Sequence, residues 1–383
     1  MKHSKRAPWL AGIGAMATIT ALALSGCTAS DNSKDDAASG ELTPVTLQLQ
    51  WFSQAQFAGY YAALDQGYYE DEGLDVTILE GAVDIVPIDV LASGDADYAI
   101  SWVPKVLGSI EQGTNVTDVA QIFERSATTQ VSFKDKDITT AADLAGKAVG
   151  SWGYGNEWEL FAGMGKADVD LAGIDLVAQN FDMTALLSGD IDAAQAMTYN
   201  EYAQVLETVN PATGELYTED DFNVINWNDE GTAMLQDAIW ADADKLDSDD
   251  AYADQTVKFI KASIKGWVYA RDNPEKAAQI VAASGSQLPA GHQLWMTNEV
   301  NKLIWPSTSG IGTINADQWA QTIDIAKGTK NQDGATVISS DPPKSAYSNT
   351  YVEKALKQLK DEGVDVIGAD FKPLTVTLKA GGE

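Results

Sequence analysis

Four short stretches place aromatic, amide and carboxylate side chains within a few positions of one another. They are Trp51-Phe52 with Gln56, Trp102, Trp152-Gly153-Tyr154-Gly155-Asn156-Glu157, and Tyr199-Asn200-Glu201. A flat ring stacks on such aromatics, each pair contributing about 0.5–1.5 kcal/mol beyond burial. A carboxylate accepts from ring amino groups, and an amide both donates and accepts. Two Asn-Glu-aromatic triplets, Asn156-Glu157-Trp158 and Asn200-Glu201-Tyr202, repeat this donor-acceptor combination. The pattern favours a neutral or weakly basic heterocycle. Trp51, Trp102, Trp152, Tyr154 and Tyr199 would line the ring, and Asn156, Glu157, Asn200 and Glu201 would meet its polar edge. Phe52 and Gln56 complete the candidate set.

Catalytic chemistry has little to stand on. The chain has two histidines, His3 and His292, and one cysteine, Cys27. A nucleophilic Ser-His or Cys-His system needs a histidine beside its nucleophile. His292 follows Ala290-Gly291 at a helix start with no partner in its neighbourhood of the sequence, and it is expected to be a satisfied surface histidine. Zinc sites need clustered His and Cys, so no metal is expected, and no cofactor. Gly150-Ser151-Trp152-Gly153-Tyr154-Gly155 matches neither the dinucleotide fingerprint nor the P-loop. Its glycines instead suit a backbone that approaches a ligand closely.

These residues need elements to hold them at strand ends. Val45–Trp51 alternates with period two and predicts a first strand. A helix with Phe57, Tyr60, Tyr61 and Leu64 on its apolar face follows. Strands are expected at 74–79, 98–102, 119–123, 129–133, 148–152, 176–179, 193–197 and 222–227, with helices between them, which argues for parallel βαβ units. Leu91-Ala92-Ser93-Gly94-Asp95-Ala96-Asp97 returns as Leu186-Leu187-Ser188-Gly189-Asp190-Ile191-Asp192. Each copy reads as a helix end, a turn and a buried strand, so two similar α/β lobes are expected. Ligands in open α/β sheets sit beyond the carboxyl ends of strands. After residue 233 helical patterns dominate; their tryptophans Trp267, Trp295, Trp305 and Trp319 are expected in the core.

The 383-residue chain is too long for one ordinary core. It carries 56 acidic against 25 basic residues, a net charge of −31. Such a chain repels a phosphate backbone, which excludes nucleic acid as a partner. Lys2, Lys5 and Arg6 precede an apolar run from Trp9 to Leu24, followed by Ser25-Gly26-Cys27. This is the pattern of a secretory signal, and its end resembles a bacterial lipobox, whose cysteine becomes the lipid-modified N-terminus. Residues 1–26 are therefore expected as a lipoprotein signal peptide and 27–43 as a flexible tether. The remaining divisions are 44–128 for the first part of lobe one, 129–232 for lobe two, 233–335 for a helical return to lobe one, and 336–383 for a C-terminal extension.

Trp51-Phe52-Ser53-Gln54-Ala55-Gln56-Phe57-Ala58-Gly59-Tyr60-Tyr61, then Gln66-Gly67-Tyr68-Tyr69-Glu70-Asp71-Glu72-Gly73-Leu74, resembles the opening of ABC-transporter substrate-binding proteins. The subgroup is that of thiamine-pyrimidine-precursor binders, related to sulfonate, nitrate and taurine binders. Ala92–Tyr98 and Asp143-Leu144-Ala145-Gly146-Lys147 fit the same pattern. The resemblance implies a type II periplasmic-binding fold, α/β, with two lobes around a hinge, a ligand cleft and a helical C-terminal part. It implies an extracytoplasmic lipoprotein, anchored to the membrane at Cys27, that delivers a hydroxymethyl- or formylamino-pyrimidine to permease and ATPase partners. Riboflavin or another flat heterocycle is the alternative ligand, then sulfonate, taurine or nitrate. A pyrimidine synthase related to this family uses a histidine in its first helix and a cysteine-rich motif. Phe57 stands near that histidine's place and the fold has no cysteine, so enzymatic activity is not expected.

Overall fold

The computed structural model describes residues 41–383. The signal peptide, Cys27 and almost all of the tether expected from the sequence lie outside the described residues. Strands β1 (Thr43–Gln48), β2 (Leu74–Leu79), β3 (Tyr98–Trp102) and β4 (Val116–Gln121) are laid down first. The chain then builds β5 (Thr128–Phe133), β6 (Ala148–Ser151), β7 (Asp175–Ala178), β8 (Ala193–Met197) and β9 (Phe222–Asn226) before β10 (Asp237–Asp242). Two five-stranded sheets result, in the orders β2-β1-β3-β10-β4 and β7-β6-β8-β5-β9. Each is the centre of one lobe.

The sheets are mixed, which corrects the expectation of parallel units throughout. β10 runs antiparallel to β3 and β4, and β5 antiparallel to β8 and β9. These are the two strands that follow a crossing from one lobe to the other. The other strands of a lobe point their carboxyl ends at the cleft. A strand entering across the cleft must begin there and run away from it. Register makes the consequence concrete: Asp237, first in β10, lies opposite Trp102, last in β3. Likewise Thr128, first in β5, lies opposite Met197, last in β8. Both repeat copies form the expected turn: helices Pro87–Ser93 and Thr184–Ser188 end on Gly94 and Gly189 with φ of 81° and 80°.

The helices pack where small residues let them. Helix Ala58–Asp65 lies on the 23-residue helix Asp250–Asp272, whose N-terminus is capped by the Asp249 carboxylate accepting from the amides of Ala251 and Tyr252. At the crossing, a Cβ on Gly266 would collide with the Gly59 carbonyl, and one on Gly59 with the Trp267 ring. Leu64, expected on the buried face, is 42% exposed, while Ala58, Gly59, Ala62 and Ala63 are buried instead. Close approach of backbones selects small residues on this face and pushes the leucine out. The C-terminal region joins the first lobe: helix Thr350–Asp361 buries Val352, Ala355, Leu356 and Leu359, a helical stripe, and Tyr347 bridges to Asp118 of β4. Trp267, Trp295, Trp305 and Trp319 are all buried.

Candidate functional site

A cavity of about 630 Å³ opens between the cleft-facing ends of the two sheets, within the range of small-molecule sites. From lobe one it is lined by Gln50, Trp51, Gln54, Gln56, Ser101, Trp102, Lys105 and the apolar segment around Val83–Ile88; from lobe two by Trp152, Tyr154, Asn156, Phe181, Met197, Tyr199, Asn200 and Glu201. Nine of the eleven ligand-site residues expected from the sequence are on this wall. Two are not. Phe52 is 47% exposed and packs edge-on against Trp51, centroids 5.4 Å apart. Glu157 also lies off the wall. β1 ends at Gln48, not Trp51, so Trp51 and Phe52 sit in the following loop, where their side chains part.

The floor in lobe one is organised by a residue that the sequence did not single out. Asp237 is buried, and its carboxylate accepts from Gln50 Nε2 (2.7 Å), Trp102 Nε1 (2.8 Å) and Gln56 Nε2 (2.9 Å). Gln56 Oε1 in turn accepts from Gln54 Nε2 at 2.7 Å. Four cavity-lining side chains are thus fixed through one carboxylate. Burial pushes Asp237 up to about 7 in spite of its three donors. Lys105, on helix Val103–Glu111, extends into the cavity with its Nζ 4.9 Å from the Trp102 ring centroid. Enclosure lowers it to about 8, while the fields of Glu157 and Asp237 oppose that shift.

In lobe two the Gly-rich loop puts Gly153, Tyr154 and Gly155 at φ of 68°, 53° and 83°. Three left-handed residues in a row form a tight bend that two glycines adopt readily and Tyr154 only under constraint. Gln195 of β8 supplies that constraint: its Oε1 accepts from Ser151 Oγ and Trp152 N, and its Nε2 donates to the Asn156 carbonyl. Asn156 Nδ2 donates to the Gly153 carbonyl at 2.7 Å, so this amide braces the loop. Trp152 is 5% exposed, and its indole N–H has no hydrogen-bond partner among the described residues. Phe181, absent from the sequence-based set, stacks on Trp152 at 5.9 Å and tilts onto Trp51 at 4.7 Å, so one ring touches both lobes. It lies three residues past the end of β7, as Trp51 lies three past the end of β1, and the strand-end rule applied there would have found it.

Among the described residues Glu201 is the sole carboxylate on the wall. Its oxygens accept from Met197 N and Asn200 Nδ2, both at 3.0 Å, and burial raises it to about 7. Asn200 Oδ1 lies 3.0 Å from His292 Nε2, and His292 Nδ1 lies 2.9 and 3.0 Å from the Glu207 carboxylate oxygens. His292 is 1% exposed. This corrects the expected surface histidine: the imidazole is a buried tie between helix Ala290–Ile304 and lobe two, joined to the cavity through Asn200. Among the described residues no group of His, Cys, Asp and Glu is arranged to hold a metal ion.

The NMT1/THI5-like family profile matches residues 54–277. The chain belongs to this family. Among its relatives, the formylaminopyrimidine-binding protein of Halalkalibacterium halodurans is 28% identical over 267 residues, or 68% of this chain and 75% of that protein. The riboflavin-binding protein RibY of Chloroflexus aurantiacus is 28% identical over 247 residues, 62% of this chain and 65% of its own length. Among solved structures, the putative periplasmic sulfonate-binding protein SsuA from Methylobacillus flagellatus KT superposes with a TM-score of 0.61 at 18% identity, covering 88% of this chain and 99% of that one. That likeness establishes the type II periplasmic-binding fold expected from the sequence.

Proposed function

We propose that this protein is the extracytoplasmic solute-binding component of an ABC importer and captures an aminopyrimidine of the thiamine-precursor type. The observation that carries the reading is the wall itself. Aromatic rings from both lobes, Trp51, Trp102, Trp152, Phe181 and Tyr199, enclose a cavity whose lobe-two side offers one buried carboxylate, Glu201. A flat ring stacks between the lobes, and an exocyclic amine on its edge donates to Glu201. The unpartnered Trp152 indole N–H supplies a donor to a ring nitrogen. The relative that binds formylaminopyrimidine supports the ring class. No histidine or cysteine lines the cavity among the described residues, which supports binding without turnover. The ligand holds the lobes together by touching both, so closure follows from its greater affinity for the closed form.

Calorimetry on the tether-free protein with a hydroxymethyl-aminopyrimidine, its formylamino counterpart, riboflavin, an alkanesulfonate and nitrate tests this. Micromolar binding, about −8 kcal/mol, is expected for the pyrimidines. Binding of sulfonate or nitrate alone would overturn the heterocycle. Preference for riboflavin would move the assignment to the larger ring. Membrane attachment rests on the lipobox-like sequence ending at Cys27. Release of a Cys27→Ser variant from the membrane fraction is the expected result, and retention would contradict the anchor.

A further inference from the structure

His292 is buried and does not line the cavity, yet its hydrogen bonds run to a residue that does. Those bonds fix where its hydrogens are. Nδ1 lies 2.9 and 3.0 Å from the two oxygens of Glu207, and an ionised carboxylate only accepts, so Nδ1 carries a hydrogen. Nε2 lies 3.0 Å from Asn200 Oδ1. The other end of that amide, Nδ2, donates to Glu201 Oε1 at 3.0 Å. The amide oxygen is therefore the atom turned to the ring, and Nε2 carries a hydrogen as well. An imidazole with hydrogen on both nitrogens is an imidazolium. Resting on the reading of Glu201 as acceptor for the ligand's amine, we propose that His292 is a positioning residue: an imidazolium that acts through the Asn200 amide to keep Glu201 an ionised acceptor on the cavity wall.

The opposite arrangement makes the choice concrete. Turning the amide over puts Asn200 Oδ1 on Glu201 and Nδ2 on the ring. Two acceptors then face each other unless Glu201 is protonated, and Nε2 must give up its hydrogen. One proton has moved from His292 to Glu201, and Glu201 has spent an oxygen as a donor. Charge balance opposes that state. Glu201 and Glu207, at either end of helix Glu201–Leu206, are both buried. Gly382 packs on the His292 side chain, and Glu383 packs against Gly291, the residue before it. The charged groups that these contacts bring to the ring are all acidic. Among the described residues His292 is the one cationic partner of Glu207, and no Lys or Arg makes an ion pair with Glu201, Glu207 or Glu383. A buried carboxylate without a counter-charge is costly. Burial raises Glu201 to about 7, and the charge of His292 acts against that rise.

Nitrogen-15 and carbon-13 magnetic resonance on the tether-free protein, in which His292 is the only histidine, tests this. Without ligand at neutral pH both ring nitrogens are expected in the protonated form. One bare nitrogen would overturn the proposal, whatever the ligand is. In Glu207→Gln the ring is expected to lose one hydrogen. The Glu201 carboxyl carbon, assigned with Glu201→Gln, should then take up its proton at a higher pH than in wild type. Loss of the Glu207 charge by itself moves that uptake to lower pH, so a downward shift would count against His292. Calorimetry then compares a hydroxymethyl-aminopyrimidine with the same ring lacking its amine. Glu207→Gln, and the neutral double variant His292→Gln with Glu207→Gln, should weaken the aminopyrimidine by about 10-fold, the scale of a hydrogen bond to a charged group, and leave the amine-free ring unchanged. Equal weakening of both rings would make His292 a structural tie alone. Unchanged binding of the aminopyrimidine by the double variant would show that the charge is not needed, and either result overturns the proposal. If wild type binds neither ring, the pyrimidine reading fails and the nitrogen spectrum still decides the state of His292. Circular dichroism establishes that the variants are folded.

Discussion

Glu201 and Asp237 are carboxylates that burial holds near 7, far above their ordinary values of 4.5 and 3.8. Such a group binds its proton more tightly in the folded chain than in the unfolded one. Its contribution to stability is complete below the unfolded value and is lost as pH rises through the folded value. The ligand-free protein should therefore melt at a lower temperature at pH 8 than at pH 5, the fall lying between about 4 and 7. Glu201→Gln keeps the shape and removes one titrating group, so its melting temperature should fall less steeply over that window. The same variant should bind an aminopyrimidine about 10- to 100-fold more weakly. An unchanged pH slope would show that Glu201 is already ionised at pH 5. The two residues differ in how far the sequence disclosed them. Glu201 stands between an amide and a tyrosine at a strand end, a local signal. Asp237 is one acid among 56 acidic residues; only its register opposite Trp102 makes it the organiser of the floor, and register is not local.

At the scale of elements, strands β2, β3 and β8 match their expected bounds, because each follows within a few residues of a left-handed glycine, Gly73, Gly94 or Gly189, that marks the turn before it. What the sequence concealed was direction. Antiparallel β5 and β10 follow from the crossing between lobes, and no residue in either strand announces it. The His292 tie was hidden for a related reason: Glu207 and Asn200 lie 85 and 92 positions away. The helix crossing at Gly59 and Gly266 was hidden too, since a glycine in a helical pattern ordinarily reads as a weak point. Here it is a contact. Gly266→Ala should destabilise the protein by about 1–3 kcal/mol through overpacking. Gly165→Ala, in helix Trp158–Lys166, has nothing within 4 Å of the new methyl and should stabilise by a few tenths of a kcal/mol to about 1. Urea unfolding of the pair separates the two effects. Equal stability of both variants would mean that the two helices can move apart without cost.

At the scale of the whole molecule, the lobes share more than the two strand crossings. Helix Ala290–Ile304 reaches lobe two through His292 and through Trp295, whose indole N–H donates to the Thr198 carbonyl at 3.1 Å. The C-terminal segment runs beside that helix. Leu374 exchanges hydrogen bonds with the Asn298 amide, Val376 and Leu378 pack on the apolar cluster of lobe two, and Gly381 N donates to the Glu207 carbonyl. A chain that belongs to lobe one through helix Thr350–Asp361 thus ends on lobe two. Any contact of this strap that is kept only in the closed arrangement favours that arrangement. Removing residues 373–383 should leave the far-ultraviolet circular dichroism unchanged. The radius of gyration of the ligand-free protein, measured by small-angle scattering, should increase. Ligand binding should weaken by the factor by which the competent population falls, while saturating ligand should restore the compact radius. A truncated protein with the wild-type radius and affinity would show that the strap is indifferent to closure and that the hinge lies in the two strand crossings alone.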